Sequence, residues 1–213
     1  MMPCHNISGK DLALPPFKRV ALAFSGGGDS TALVHMLRRR TPRPVVLIVD
    51  HALRPGSRRE AEAALEFAQT HGYDARILTW DHDNPVSGLQ EKARKARYGL
   101  LGQACREMGI KYLVTAHTED DQAETLLMRY DRKTDWRGAA GMADVTYAPL
   151  WPELAGVSIC RPMLEISRAA LRDYNTRHDL AWCEDPGNEN LDFSRIRARK
   201  HLAVRPKLRR HLL

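Results

Sequence analysis

Residues 24–31 read FSGGGDST. An apolar run, VALAF (20–24), enters them, and a stretch with apolar residues at helical spacing, Leu33, Val34 and Leu37, leaves them. Such a run followed at once by glycine predicts a buried strand, a tight turn and a helix. Asp29 is a candidate N-cap and Pro42 a candidate stop. Glycines at that junction let backbone N–H groups converge on an anion, and the helix dipole adds partial positive charge. The turn therefore suits a phosphate. It is not a Walker loop, which needs a lysine after its last glycine, and position 31 is Thr where the dinucleotide fingerprint needs a third glycine.

The same alternation continues along the chain. VVLIVD (45–50), ARILTW (75–80), KYLVTA (111–116) and VSICRPML (157–164) read as strands. Helical patterns fill 57–72, 88–109, 118–132 and 167–180, the last with Ser167 as candidate N-cap. The strands are apolar throughout, which predicts an α/β fold: a doubly wound parallel sheet with helices on both faces. Ligands in such sheets sit beyond the carboxyl ends of the strands. SGGGDS, DHALRPG and AHTEDDQAET each follow a strand directly, so the topology gathers them at one edge. Residues 138–156 read as loop and 184–193 as a polar turn region.

Composition narrows the chemistry. The chain has 213 residues, a formal charge of +7 and 43% hydrophobic residues. No apolar run approaches the ~18–20 residues of a membrane span. Cys4, Cys105, Cys160 and Cys183 are scattered with no C-x-x-C pair, which argues against a zinc ribbon or a cysteine-ligated cluster and fits a reducing cytoplasm. From Arg195 to Leu213 there are arginines and lysines but no acid, the pattern of a segment that meets a polyanion by charge.

S-G-G-x-D-S resembles the pyrophosphate loop of the N-type ATP pyrophosphatases. Further stretches are similar, in the same order, to blocks of the bacterial tRNA(Ile)-lysidine synthase family within that superfamily: VDHALRPGSRREA (49–61), EKARKARYGLL (91–101), TAHTEDDQAETLLMR (115–129), GAAGM (138–142), RPML (161–164) and WCEDPGNENLDFSRIRARKHL (182–202). The resemblance spans about residues 18–205. It implies an adenine nucleotide alpha hydrolase-like sheet with a short basic C-terminal helical extension. It also implies three segments: an N-terminal extension (1–17), an ATP-pyrophosphatase catalytic domain (18–185) and the basic extension (186–213). Longer members continue past the catalytic domain, and this chain ends at Leu213, where that continuation would begin. Gly28 stands where a bulkier residue is common, which predicts a slightly looser loop.

The resemblance implies a cytoplasmic ligase. ATP activates the carbonyl oxygen on carbon 2 of the wobble cytidine of tRNA(Ile), and the ε-amine of free L-lysine then displaces AMP. Ser25, Gly26, Gly27, Gly28, Asp29, Ser30 and His51 are the expected ATP-binding residues, with Asp29 also an oxygen donor for Mg²⁺. Asp50 is a second oxygen donor at a strand end, or a plain loop residue. Asp121 and Glu124 lie three apart and share a helix face. They are the expected lysine-binding and catalytic acids, with Asp29 as the third catalytic residue, and one of the pair can take the ε-amine proton. Acids in a first helical turn also suit the dipole alone. His51 and His117 should face the crevice. Arg94 and Arg97 share a face, and Arg195, Arg197 and Arg199 alternate ahead of the basic tail. All five are expected to meet tRNA phosphates, with the phosphates of ATP the other target open to Arg94 and Arg97. A homodimer is compatible with the sequence. Two other readings are a tRNA thiolase on the same scaffold, which usually needs a reactive cysteine or an iron–sulfur cluster, and a non-catalytic RNA-binding module that keeps an ATP loop.

Overall fold

The computed structural model describes residues 12, 14, 19–83, 88–131, 140–148, 151–184 and 194–213. Apart from Leu12 and Leu14, the N-terminal extension lies outside them, as does the polar turn 185–193. In chain order the elements are β1 (Ala21–Phe24), α1 (Gly28–Leu37), β2 (Val45–Asp50), α2 (Ser57–Thr70), β3 (Ala75–Thr79) and α3 (Leu89–Glu107). There follow β4 (Tyr112–Val114), α4 (Glu119–Asp131), β5 (Val145–Thr146), a 3₁₀ turn (Pro152–Leu154), β6 (Ser158–Cys160), α5 (Arg168–Arg177), α6 (Ser194–Ala203) and α7 (Pro206–Leu212).

The strands form one sheet in the order β3-β2-β1-β4-β6-β5. All neighbours are parallel except β5, which runs antiparallel to β6. The loop expected over 138–156 thus supplies an edge strand as well as the 3₁₀ turn.

Strand residues alternate between two cores, as a period of two requires. Leu22, Phe24, Val46 and Ile48 pack with α1, with Ala61, Ala64 and Ala68 of α2, and with Leu171 and Tyr174 of α5. Ala21, Val45 and Leu47 face the opposite side, against Tyr98, Leu101 and Cys105 of α3 and Leu154 of the 3₁₀ turn. Both faces are therefore covered, which is why the strands carry no polar alternation. A separate small cluster joins Ala123 and Leu127 of α4 to Ala198 and Leu202 of α6. The basic tail is helical and docked on α4 rather than trailing in solvent.

The order of strands locates the crevice. From β1 the chain moves outward through β2 and β3, then returns to lay β4 on the other side of β1. The carboxyl ends of β1 and β4 flank this switch point, where an open α/β sheet receives its ligand. The triple-glycine turn follows β1, and the TEDDQAET stretch follows β4. Among the described residues no helix is long and apolar enough to cross a membrane.

Candidate active site

The glycine turn is built from its own serines. Gly26 has φ +75°, a left-handed conformation that a side chain would strain. Gly27, not the expected Asp29, caps α1, and Asp29 falls within the first helical turn. Ser30 Oγ donates to Gly27 O at 2.9 Å and lies 3.1 Å from Ser25 Oγ. Gly27 N donates to Ser25 Oγ at 3.4 Å, and Ser25 N donates to Ser30 Oγ at 3.3 Å. The two hydroxyls thus hold the turn closed as well as standing at its mouth.

A second layer supports this turn from behind. Cys183 N donates to Gly26 O at 2.9 Å, and Asn175 Nδ2 donates to Gly28 O at 2.8 Å. A Cβ at Gly28 would lie 3.3 Å from Trp182 Cδ1. The third glycine therefore makes room for Trp182, which packs behind the turn. Local sequence gave no sign of this, because Asn175 and Trp182 lie roughly 150 residues downstream.

The acids after β4 meet the turn across the crevice. Asp121 uses one oxygen for its helix: Thr118 N and Thr118 Oγ1 each donate to Asp121 Oδ2 at 2.9 Å. Asp121 N returns a bond to Thr118 Oγ1 at 3.3 Å, a reciprocal cap. The other oxygen, Oδ1, faces Arg168 Nη2 and Arg195 Nη2, each at 3.2 Å. One oxygen thus serves the helix cap, and the other is left to the arginines. Glu124, 1% exposed, accepts from Arg195 Nε at 2.9 Å, Arg199 Nε at 2.8 Å and Arg168 Nη1 at 3.3 Å. Asp120 turns away, accepting from Arg168 N at 2.7 Å and pairing with Arg209 at 3.2 Å.

Arg168, at the start of α5 behind its Ser167 cap, completes the cluster by donating from Nε to Asp29 Oδ2 at 3.2 Å. One guanidinium therefore touches Asp29 on α1 and both Asp121 and Glu124 on α4. Burial raises the Asp29 pKa above its ordinary value, and Arg168 only partly offsets it. Burial also pushes Asp121 up, but Arg195 and Arg168, with the hydrogen bond from Thr118 N, outweigh it and hold its carboxyl below the usual range.

Of the expected phosphate-contacting arginines, Arg94 and Arg97 converge, their guanidiniums 4.9 and 5.1 Å from the Tyr98 ring centre. Arg197 is exposed. Arg195 pairs with both Asp121 and Glu124, and Arg199 with Glu124. His51 sits beyond β2, with its ring edge-on to Trp80. Asp50 is buried and turns Oδ1 back to accept from Ala52 N at 2.9 Å, which makes it a loop-shaping residue. Burial lowers His117 to a pKa of about 3, so it is neutral near pH 7, with Nδ1 2.8 Å from Thr115 Oγ1.

Asp29 fits a Mg²⁺ site of the kind that takes one carboxylate plus phosphate oxygens. It is a hard oxygen donor in the first turn after the anion loop, and its side chain stays partly open to solvent beside its Arg168 partner. Among the described residues no cluster of three or more His, Cys, Asp or Glu forms an all-protein metal cage.

Comparison with known proteins places the chain in a family. The tRNA(Ile)-lysidine synthases of Brucella ovis and Brucella canis are each 41% identical over 203 residues, covering 92% of this chain and 44% of the relative. The chain thus spans less than half the length of those relatives. The U34-tRNA thiolase NcsA from Methanococcus maripaludis, solved with its [4Fe-4S] cluster, superposes with a TM-score of 0.75 at 17% identity, over 95% of this chain and 73% of that one. Phosphoadenylyl-sulfate reductase from Candida auris, solved as a phosphate complex, gives a TM-score of 0.53 at 12% identity, over 83% and 82%. These two likenesses establish the fold alone. With the PP-loop domain model matching residues 6–206, the chain belongs to the PP-loop domain family.

Proposed function

We propose that this chain carries the chemistry of a tRNA(Ile)-lysidine synthase: ATP-dependent ligation of free L-lysine to carbon 2 of the wobble cytidine, through an adenylated cytidine, with release of AMP and pyrophosphate. The observation that carries the reading is the gathering of Asp29, Asp121 and Glu124 around one guanidinium at the switch point of the sheet. It is supported by the 41% identity to lysidine synthases.

The main-chain N–H groups of Gly26 to Gly28, with the Ser25 and Ser30 hydroxyls, line the place for the ATP phosphates. Mg²⁺ held by Asp29 would neutralise charge developing on the departing pyrophosphate. Asp121 and Glu124 receive the cationic lysine. Both are already paired with arginine, so an incoming ammonium must displace a guanidinium. Arg195 and Arg199, 34% and 33% exposed at their side chains, are the displaceable partners, whereas Arg168 is 19% exposed. Asp121, kept ionised by its arginines, holds the ammonium by charge, and one of the pair takes the ε-amine proton as lysine attacks. Arg94, Arg97 and Arg197 are assigned to tRNA phosphates, with the reaction placed in the cytoplasm. A homodimer is compatible with this reading.

The thiolase reading is disfavoured by the described cysteines. Burial pushes the Cys105 thiol up to about 12 and Cys160 up to about 11, which suppresses the nucleophilic thiolate. Cys183 is exposed near the glycine turn but lacks a second cysteine in a C-x-x-C pair.

The test is transfer of radiolabelled lysine to tRNA(Ile) by the pure protein with ATP and Mg²⁺. ATP-dependent incorporation is expected, and Asp121→Asn should abolish it while retaining some pyrophosphate exchange. No incorporation by the wild type overturns the function.

A further inference from the structure

We propose that Arg168 is the positioning residue that sets the spacing between the phosphate-loop acid Asp29 and the Asp121–Glu124 pair, so that the two half-reactions share one frame. The proposal rests on the lysidine synthase reading of the site.

Three features distinguish Arg168 from the other described arginines. It alone among them spans the crevice: its Nε, Nη1 and Nη2 each reach a different carboxylate, on two helices that follow different strands. Arg195 and Arg199 reach only α4 acids among these three. Its main chain is also fixed, because Arg168 N donates to Asp120 Oδ2 at 2.7 Å and Ser167 caps the same helix turn. And α5 carries, on its next turns, Asn175, which holds Gly28 O. One helix therefore grips the phosphate turn through Asn175 and all three acids through Arg168.

A planar fork with several donors can hold three carboxylates at set separations; an ammonium, a point charge on a flexible stem, cannot. Without the fork, Asp29 and the acid pair would be like charges facing each other across a partly desolvated gap, and they would move apart. A reacting group displaced by about 1 Å is enough to slow chemistry on the order of 100-fold.

The experiment compares wild type, Arg168→Gln and Arg168→Lys by three readouts: KM and kcat for lysine transfer, ATP affinity by calorimetry, and crystal structures. Arg168→Gln is expected to raise the lysine KM roughly 10-fold and lower kcat roughly 100-fold. Its crystal structure should show Asp29 further from Asp121. Arg168→Lys should recover thermal stability but not kcat. A folded Arg168→Gln with unchanged lysine KM and kcat, or with the acids unmoved, overturns the proposal, as does full recovery of kcat by lysine. A loss explained wholly by a smaller folded fraction, with normal KM, would also overturn it. Should Arg168→Gln not fold, Asp120→Ala frees the main chain of Arg168 and is expected to raise the lysine KM several-fold; an unchanged KM counts against the role. ATP affinity and acid separation do not depend on which nucleophile is used. They therefore remain decisive if wild type proves inactive with lysine, the outcome that defeats the functional reading instead.

Discussion

Arg199 Nε on α6 lies 2.8 Å from Glu124 Oε1, an oxygen that also accepts from Arg168 at 3.3 Å. A carboxylate this deeply buried must be compensated, and here the compensation comes partly from a residue that is one-third exposed. The lysine ammonium competes with it. Arg199→Ala is therefore expected to tighten lysine binding about 3- to 5-fold, the equivalent of removing a competing guanidinium worth roughly 1 kcal/mol. Calorimetric titration of lysine into ATP-bound protein measures it, and weaker binding in the variant would refute the competition.

The sheet was legible because its signals are local. Each strand is a short apolar run, each ends in a polar or glycine motif, and each is followed by a helical pattern. VVLIVD coincides with β2 over Val45–Asp50. The spacing of Asp121 and Glu124 likewise placed both on one face, and they share two arginines. What sequence could not show is who faces those acids. Arg168 opens an ordinary helix, and its carboxylates lie 44, 47 and 139 positions away in the chain. Arg195 and Arg199 look like part of a uniform basic tail because the acids that claim them belong to α4. Charge in a segment predicts a polyanion only when that charge faces solvent.

That division bears on RNA binding. Arg197 and Lys200 are exposed on α6 and three apart, so they share a face turned away from the acid pair. Replacing both with Ala should flatten the salt dependence of tRNA binding by about 1.5 in log–log slope, at about 0.7–0.9 for each phosphate no longer neutralised. Filter binding between low and moderate salt reads the slope. A double variant with the wild-type slope removes α6 from the tRNA interface.

The glycines of the turn should not respond alike. Gly26 holds φ +75°, so Gly26→Ala carries a strain of about 1–2 kcal/mol and should raise the ATP KM at least several-fold. Gly28 has helical geometry, and the methyl group of an alanine there would meet the edge of Trp182 at 3.3 Å. Ala gains up to about 1 kcal/mol of helix propensity there, which offsets the shift asked of Trp182. Gly28→Ala is expected to stay within about 2-fold of wild type in ATP KM. Equal damage from the two substitutions would show that close approach to phosphate, not backbone conformation, governs both positions.

His35 ties stability to pH from the opposite end of α1. Its Nδ1 faces the Tyr174 hydroxyl at 2.9 Å and Arg38 Nη1 at 3.2 Å. Arg38 can only donate, so Nδ1 accepts and the ring is neutral. Burial, then Arg38, His178, His71 and Arg39, lower its pKa to about 4. In the unfolded chain the same imidazole titrates near 6.5. The folded state thus binds fewer protons between those values, and this contribution is complete above pH 6.5 and lost as pH falls toward 4. From pH 7.5 to 5 the loss attributable to His35 is roughly 2 kcal/mol. Urea unfolding at both pH values should show His35→Gln, although less stable at pH 7.5, losing less on acidification than wild type by about that amount. Parallel losses in the two proteins would mean that His35 takes up its proton in the folded state as readily as in the unfolded one.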